Sequence, residues 1–466
     1  MTSGRSTTTR QTQGLSGLLG QTIAGMSADV IGEETWTALK SHLLDCITLI
    51  IAGRTSPRVR RAVQATEMHD PAFALSLACG ALGLDDFDEA TRTHPGAALV
   101  PALIAAAAGR SAPVTGKDFA VSLLVGYETF KWLGAAMDAR HMHQRGRHPS
   151  TMVGMPAVAV AVARLLGSAK EEIQGAVGVG AALACGLTEF DAKEDMRAVQ
   201  TAWAASSGVK AAQLAKAGFR PSPYALEAAG GLLKGSTASV PPIEEFGEQP
   251  FAVELVSFKP YAHFSDLHPA TSALLRAVQG RRVMAEEVAT MHVHITPTAV
   301  ARLHRALPPR TSKEAKRCAE YVLAACLLGD GSGEPVPSPT IDDTRIGDRS
   351  VLALAEQVQV VADLPEPAGS DDHHAVDRQV VARVEVVLRS GEVCSGTSTG
   401  YPGDGRDPAL RWTLDDARNR FDALALPAIS QAGITPQAVL SIATDLPRLA
   451  DVRPTAQAIA ALPYAG

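Results

Sequence analysis

A mainly α-helical protein, interrupted by a smaller α+β segment, is predicted by three features of this 466-residue chain. From about Gly17 to Leu233 apolar residues recur at helical spacing, and the stretches 152–166, 173–187 and 201–218 are dense in Ala and Gly. After Ser257 short runs alternate between apolar and polar residues, as strands with one buried face do. From Thr413 helical spacing returns. The α+β segment therefore reads as an insertion. The predicted division is a large all-helical domain of residues 15–262 and 409–466, with a smaller domain at 263–408.

The elements follow in order. Residues 1–14 are Ser-, Thr-, Arg- and Gln-rich, and are expected to be a frayed tail rather than a secretory signal. The spacing predicts a helix over 33–53, with Leu39, Leu43, Cys46, Ile47 and Ile50 on one face and Gly53 as its stop. Thr115-x-x-Asp118 and Ser168-x-x-Glu171 resemble capping boxes. The small residues of the three Ala/Gly-rich stretches let helix backbones approach closely. Strands are expected at 287–296 (Ala289, Met291, Val293 and Ile295 inward), at 357–362, and in a hairpin that runs from Val380 through Ser390-Gly391 to Ser398. A helix should open at Thr311-x-x-Glu314 and run to Leu328. Two more should start at Thr413-x-x-Asp416 and at Thr435-Pro436.

Composition narrows the function. Net charge is −6, from 43 basic and 49 acidic residues, with no Lys/Arg cluster to track a phosphate backbone. Aromatics are 5%, too few for base-stacking platforms. No apolar run is long enough to span a bilayer. The six cysteines include no Cys-x-x-Cys pair, which fits reduced core thiols in a cytoplasmic protein. No Gly-x-Ser-x-Gly elbow, P-loop or His-Glu-x-x-His motif is present, and Gly178-Val179-Gly180 follows no strand.

Five polar stretches stand out. Asp85, Asp86, Asp88, Glu89, Arg92 and His94 form a charged island between the apolar runs 73–84 and 97–108. Charge beside a core persists when paired or used, so this is a candidate site, though a solvated loop has the same composition. His148 precedes an apolar helix, with a cap expected at Ser150 or Thr151; a helix start attracts anions. Lys193 to Arg197 leads into an Ala-rich helix. Lys259, Tyr261, His263 and His268 lie at the change of texture, where an acid could be held; a linker with packed rings is the alternative. His292-x-His294 and His141-x-His143 lack an identifiable third ligand and read as solvated faces, and His373-His374 as part of an exposed acidic loop.

Taken together, these pieces resemble the MmgE/PrpD family. Residues 84–96 resemble its Asp-rich segment ending in His-Pro. His148-Pro149-Ser150 resembles its second His segment, and 208–219 its Ala-rich helix. Phe258-Lys259-Pro260-Tyr261 with His268 resembles its domain junction, and Glu314-Ala315-Lys316 with Tyr321 the start of its lid helix. The resemblance implies a helical domain with an inserted α+β lid, a homodimer, no metal or organic cofactor, and a site between the domains. It implies catalytic roles for His94, His148, Asp86, Lys259 and Tyr321, with Arg197, His263, His268 and Asp88 binding substrate. Arg197 stands where the family often has Lys. It can hold a carboxylate but hardly releases a proton. The segment 88–93 is altered and shortened, Ala262 replaces the junction's second Pro, and Phe264 stands where cis-aconitate decarboxylase has a His. The expected chemistry is a cofactor-independent lyase, most simply a dehydratase, moving a proton at the carbon next to a carboxylate of a small polycarboxylate. His94 and His148 would form the acid–base pair, with Asp86 orienting one imidazole. An epimerase, a decarboxylase, or a non-catalytic small-acid binding protein are the alternatives.

Overall fold

The computed structural model describes residues 14–66, 70–188, 195–234, 236, 238–304, 306–329, 331–339, 341–366, 380–429 and 434–464. Lys193 and His373-His374 lie outside them. The protein is mainly α-helical with one four-stranded sheet. It divides into two compact units: the described residues within Met1–Phe190, Asp195–Val256 and Trp412–Gly466, and those of Ser257–Arg411. Among the described residues no helix is long and apolar enough to cross a membrane.

The first unit is a bundle of α1 (Gly14–Gly25), α2 (Glu33–Gly53), α3 (Pro57–Thr66), α4 (Pro71–Gly80), α5 (Pro95–Ala108), α6 (Gly116–Ala136), α7 (Ala139–Gln144), α8 (Pro149–Leu165), α9 (Lys170–Leu183), α10 (Asp195–Lys216) and the short α11 (Ala252–Leu255). At its centre is α8, which packs on α5, α6, α9 and α10. Nearly all of α8 is buried, and its Ala and Gly content permits this crowding. The helical reading of 17–233 is interrupted after Lys216, where Pro221, Pro223, Gly230 and Gly231 give turns instead. Capping also shifts by one residue at α9: its first turn is closed by the Ala169 N–H donating to the Glu172 carboxylate (3.0 Å), not by a Ser168–Glu171 pair. Thr115 caps α6 as its spacing suggests, its hydroxyl accepting from the Asp118 N–H.

The second unit carries α12 (His268–Val278), β1 (Val288–Ile295), α13 (Pro297–Ala301), α14 (Ser312–Lys316), α15 (Ala319–Leu328), α16 (Arg349–Ala355), β2 (Val358–Ala362), β3 (Ala382–Leu388) and β4 (Val393–Ser398). The sheet order is β2-β1-β3-β4, with β1–β2 parallel and the other pairs antiparallel. Met291, Val293 and Ile295 of β1 and the alternate residues of β3 from Ala382 face its core; a bulge near Thr290 leaves Ala289 only half-buried. The single helix expected from Thr311 to Leu328 is broken into α14 and α15. The Phe264 and His304 N–H groups donate to the Lys316 and Arg317 carbonyls, and Cys318 turns extended. These bonds fasten the chain at the break to two other segments of the same unit.

The chain then returns to the first unit with α17 (Leu414–Arg420), a π-turn at Phe421–Ala425, α18 (Leu426–Ile429), α19 (Pro436–Thr444) and α20 (Arg453–Ala460). Helices α17 and α19 pack on α2, and α20 on α5. The seam is tight at Gly116: its N–H donates to the Leu449 carbonyl (2.9 Å), and a Cβ there would lie 1.7 Å from the Leu446 oxygen. Gly116→Ala is therefore expected to lower the unfolding free energy by about 1–3 kcal/mol. Gly109→Ala, at a helix end with its nearest neighbour 3.7 Å away, should change it little. Urea unfolding of both variants checks this, and equal stabilities would refute the close approach.

Candidate active site

Two His-Pro pairs begin two neighbouring helices. His94 is the N-cap of α5 with Pro95 in its first turn, and His148 is the N-cap of α8 with Pro149 in its first turn. Proline suits that position because its missing N–H would have had no helical partner. Neither His caps its helix with its ring. The cap expected at Ser150 or Thr151 thus falls on His148 itself, and the two hydroxyls of the first turn work sideways. The Ser150 oxygen accepts from the His94 N–H (3.1 Å), tying the start of α5 to the start of α8. The Thr151 hydroxyl lies 2.6 Å from His148 Nδ1.

His94 is held at Nδ1. Its Nδ1 is 2.7 Å from the main-chain oxygen of Asp86 and 3.1 Å from Asp85 Oδ2. Both are acceptors, so Nδ1 carries a proton. Its ring packs against Phe87, with centroids 5.2 Å apart, and 12% of the side chain is exposed.

Asp86 therefore meets His94 through its main chain. Its carboxylate turns the other way and accepts the Gly96 N–H at both oxygens (3.0 Å each) and the Tyr127 hydroxyl (3.0 Å), with His42 Nδ1 3.6 Å away. This carboxylate supplies the cap that the His94 ring does not. Gly96 is required for it: a Cβ would sit 2.6 Å from Asp86 Oδ2, 2.8 Å from the Tyr127 hydroxyl and 2.9 Å from Cys46 Sγ. Burial pushes the Asp86 carboxyl well above the usual range, opposed by the Tyr127 hydrogen bond.

Asp85 holds Arg197 by two hydrogen bonds of 2.7 and 3.1 Å; the carboxylate is 1% exposed and the guanidinium 20%. Arg197 sits in the first turn of α10. A second buried pair, Asp45 with Arg420 (2.8 Å), joins α2 to α17. Burial pushes the Asp45 carboxyl up, and the Arg420 charge pulls it back. The His148 imidazole is pushed down to about 3, chiefly by burial and then by the charges of His94, Arg197 and His143. His42 is pushed down to about 3 by burial alone among the lowering causes.

Four of the sequence-predicted residues thus gather in the first unit: His94, His148, Asp86 and Arg197. Asp88 does not join them. It accepts from the Ala90 N–H (2.9 Å) and the Thr91 hydroxyl (2.6 Å), closing its own loop. Asp85 and Gly96 lie in the stretch that the sequence marks but carry no role there, and Tyr127, His42 and Arg420 are not marked at all. Asp85 stands inside the charged island, but nothing in its spacing separates it from Asp86. Tyr127 and His42 lie within apolar helices and carry no signal of their own.

In the second unit His263 and His268 are buried among Tyr261 and Tyr401, with ring centroids 4.9–5.6 Å apart. His263 Nε2 lies 3.2 Å from the Thr271 hydroxyl. Burial lowers both imidazoles, His263 to about 3, and the charge of half-buried Lys259 adds to it. The Tyr321 hydroxyl donates to the Arg345 carbonyl (2.7 Å) within the unit's core. His294 Nδ1 contacts Asp363 (2.8 Å). Among the described residues no group of three or more His, Cys, Asp or Glu could hold a metal ion.

The MmgE/PrpD N-terminal domain profile matches residues 64–242, and the MmgE/PrpD C-terminal domain profile matches 261–440. A cis-aconitate decarboxylase-like protein of Aspergillus oryzae, oryM, is 38% identical over 203 residues, 39% of this chain and 42% of its own. A cis-aconitate decarboxylase of Aspergillus terreus is 25% identical over 343 residues, 66% of this chain and 70% of its own. The match thus spans less than half the length of the first relative.

With its folded value near 3, below the ordinary 6.5, His148 stays neutral throughout pH 5–8. Histidine-labelled protein should show no His148 titration in that window by NMR. A full titration there would mean the ring is not buried as described.

Proposed function

Since the chain belongs to the MmgE/PrpD family, we propose that it is a lyase of the dehydratase type acting on a small polycarboxylate at the carbon beside a carboxylate. The observation that carries this reading is the tie between His94 and Ser150, which sets two imidazoles at adjoining helix starts beside a guanidinium. His94 is the base. Its Nε2 lone pair takes the proton, the C–H electron pair becomes the new C=C bond, and the C–O bond breaks. The departing hydroxide leaves as water with that proton. The enolate charge that builds on the carboxylate faces Arg197 and the positive ends of α5 and α8. His148, neutral at rest, contributes a hydrogen bond rather than a stored proton.

For the α+β unit we propose the lid role that the family resemblance implies, with Lys259 as its carboxylate-binding cation. In this reading Asp88 closes its own loop and Tyr321 ties α15 to the Arg345 carbonyl. A cytoplasmic location agrees with six unpaired cysteines. A homodimer agrees with the exposed Met196, Trp203 and Leu214 on one face of α10.

Decarboxylation is the second reading, favoured by the names of the Aspergillus relatives. There the C–C bond to CO2 breaks, and the carbanion takes a proton from an imidazolium. The test is a panel of hydroxy-tricarboxylates and cis-aconitate incubated with the full chain. New alkene absorbance from a hydroxy acid supports dehydration, and CO2 release from cis-aconitate supports the second reading. Ligand binding without turnover across the panel would sink both. Light scattering on the same preparation should give twice 48.6 kDa; the monomer mass would remove the dimer.

A further inference from the structure

The contacts around Asp85 assign it a part that neither the family match nor the sequence spacing gives it. We infer that Asp85 and Arg197 form a positioning pair that sets the proton affinity of His94. The inference rests on His94 being the base.

The geometry is direct. One carboxylate oxygen, Asp85 Oδ2, lies 3.1 Å from His94 Nδ1 and 2.7 Å from the Arg197 guanidinium; the other oxygen takes a second guanidinium nitrogen at 3.1 Å. At 1% exposure the carboxylate is shielded from solvent, so its charge is weakly screened. The imidazole does not need it for orientation, because the Asp86 main-chain oxygen already takes the Nδ1 proton at 2.7 Å. What Asp85 adds is charge. When Nε2 accepts a proton the ring becomes a cation, and an anion beside Nδ1 stabilises that cation.

Arg197 works against this. Its two hydrogen bonds draw on the same carboxylate, and its positive charge stands near the ring. The pair is therefore a balance, with Asp85 strengthening the base and Arg197 weakening it. An arginine suits this position, since its fork matches a carboxylate and keeps its charge. Around the pair, the Asp45 and Asp86 carboxyls and the Cys79 thiol interact with the Asp85 charge, and His148 with Arg197; Asp86 in turn meets Tyr127 and His42, and Asp45 meets Arg420. Replacing Asp85 removes a charge that raises Asp45, Asp86 and Cys79, and replacing Arg197 removes one that lowers His148, so the effect is read at the His94 resonance itself.

The test uses full-length protein with labelled histidine, His94 being assigned by the signal lost in His94→Gln. Asp85→Asn should move the midpoint at which the His94 resonance titrates to lower pH, and Arg197→Met should move it to higher pH. Opposite movements are the signature, since loosening of the fold would move both variants the same way. Where a substrate has been found, Asp85→Asn should lower kcat by about 10²-fold with KM little changed. Unmoved midpoints, or movement in one direction for both variants, overturn the inference. Should Asp85→Asn fail to fold, Arg197→Met decides alone, and a downward or absent movement overturns it. The NMR arm needs no substrate. Opposite movements in a protein with no turnover would leave the pair standing and remove only the lyase reading.

Discussion

A single hydrogen bond, from the His94 N–H to the Ser150 hydroxyl (3.1 Å), ties together the two halves of the candidate site. It joins two helices whose starts lie 54 residues apart in sequence, from Pro95 to Pro149. Each helix opens on a His-Pro pair, so each places an imidazole at the positive end of its dipole. The rest of the site keeps this junction in place. The Asp86 carboxylate caps the start of α5 through the Gly96 N–H, and Gly96 has no side chain to obstruct it. Thr151 steadies the His148 ring. The wide burial of α8 and α5 then holds both helices against movement.

The second constraint is charge. Asp45, Asp85 and Asp86 are all buried within one small region, and a buried carboxylate without partners is costly. Each has a different answer. Asp45 is matched by Arg420, which the chain supplies only after the α+β unit is complete. Asp85 is matched by Arg197 from α10. Asp86, which like Asp45 is raised by burial, is matched by hydrogen bonds from Tyr127 and the Gly96 N–H. The return of the C-terminal helices to the bundle is thus an electrostatic requirement as well as a packing one. A helical unit cut at residue 256 would leave Asp45 buried without its cation, which costs about 3–5 kcal/mol when one partner of such a pair is removed.

Much of this was legible in the sequence where the signal is local. The helix over 33–53, the caps at Thr115, Thr311, Thr413 and Thr435, and the alternation in β1 and β3 are set by neighbours within a few residues, and the structure has them there. The break between α14 and α15 was not legible, because the contacts that accompany it come from two N–H groups elsewhere in the chain. The site divides in the same way. His94, His148 and Arg197 carried motif signals and do converge. The exchange of parts between Asp85 and Asp86 was hidden, because adjacent acids look alike until the backbone shows which way each carboxylate points. Tyr127 and His42 were hidden by their apolar surroundings, which is also what makes their hydrogen bonds strong.

The measurement closest to the central claim is proton exchange at carbon. Full-length protein would be incubated in D2O with cis-aconitate and with saturated tricarboxylates, and deuterium at the carbon beside each carboxylate followed by NMR. The wild-type chain should incorporate deuterium, and incorporation should fall at least about 10²-fold in a folded His94→Gln protein. Incorporation by the wild type that survives this change undiminished would contradict the central claim, because some other group would then be moving the proton.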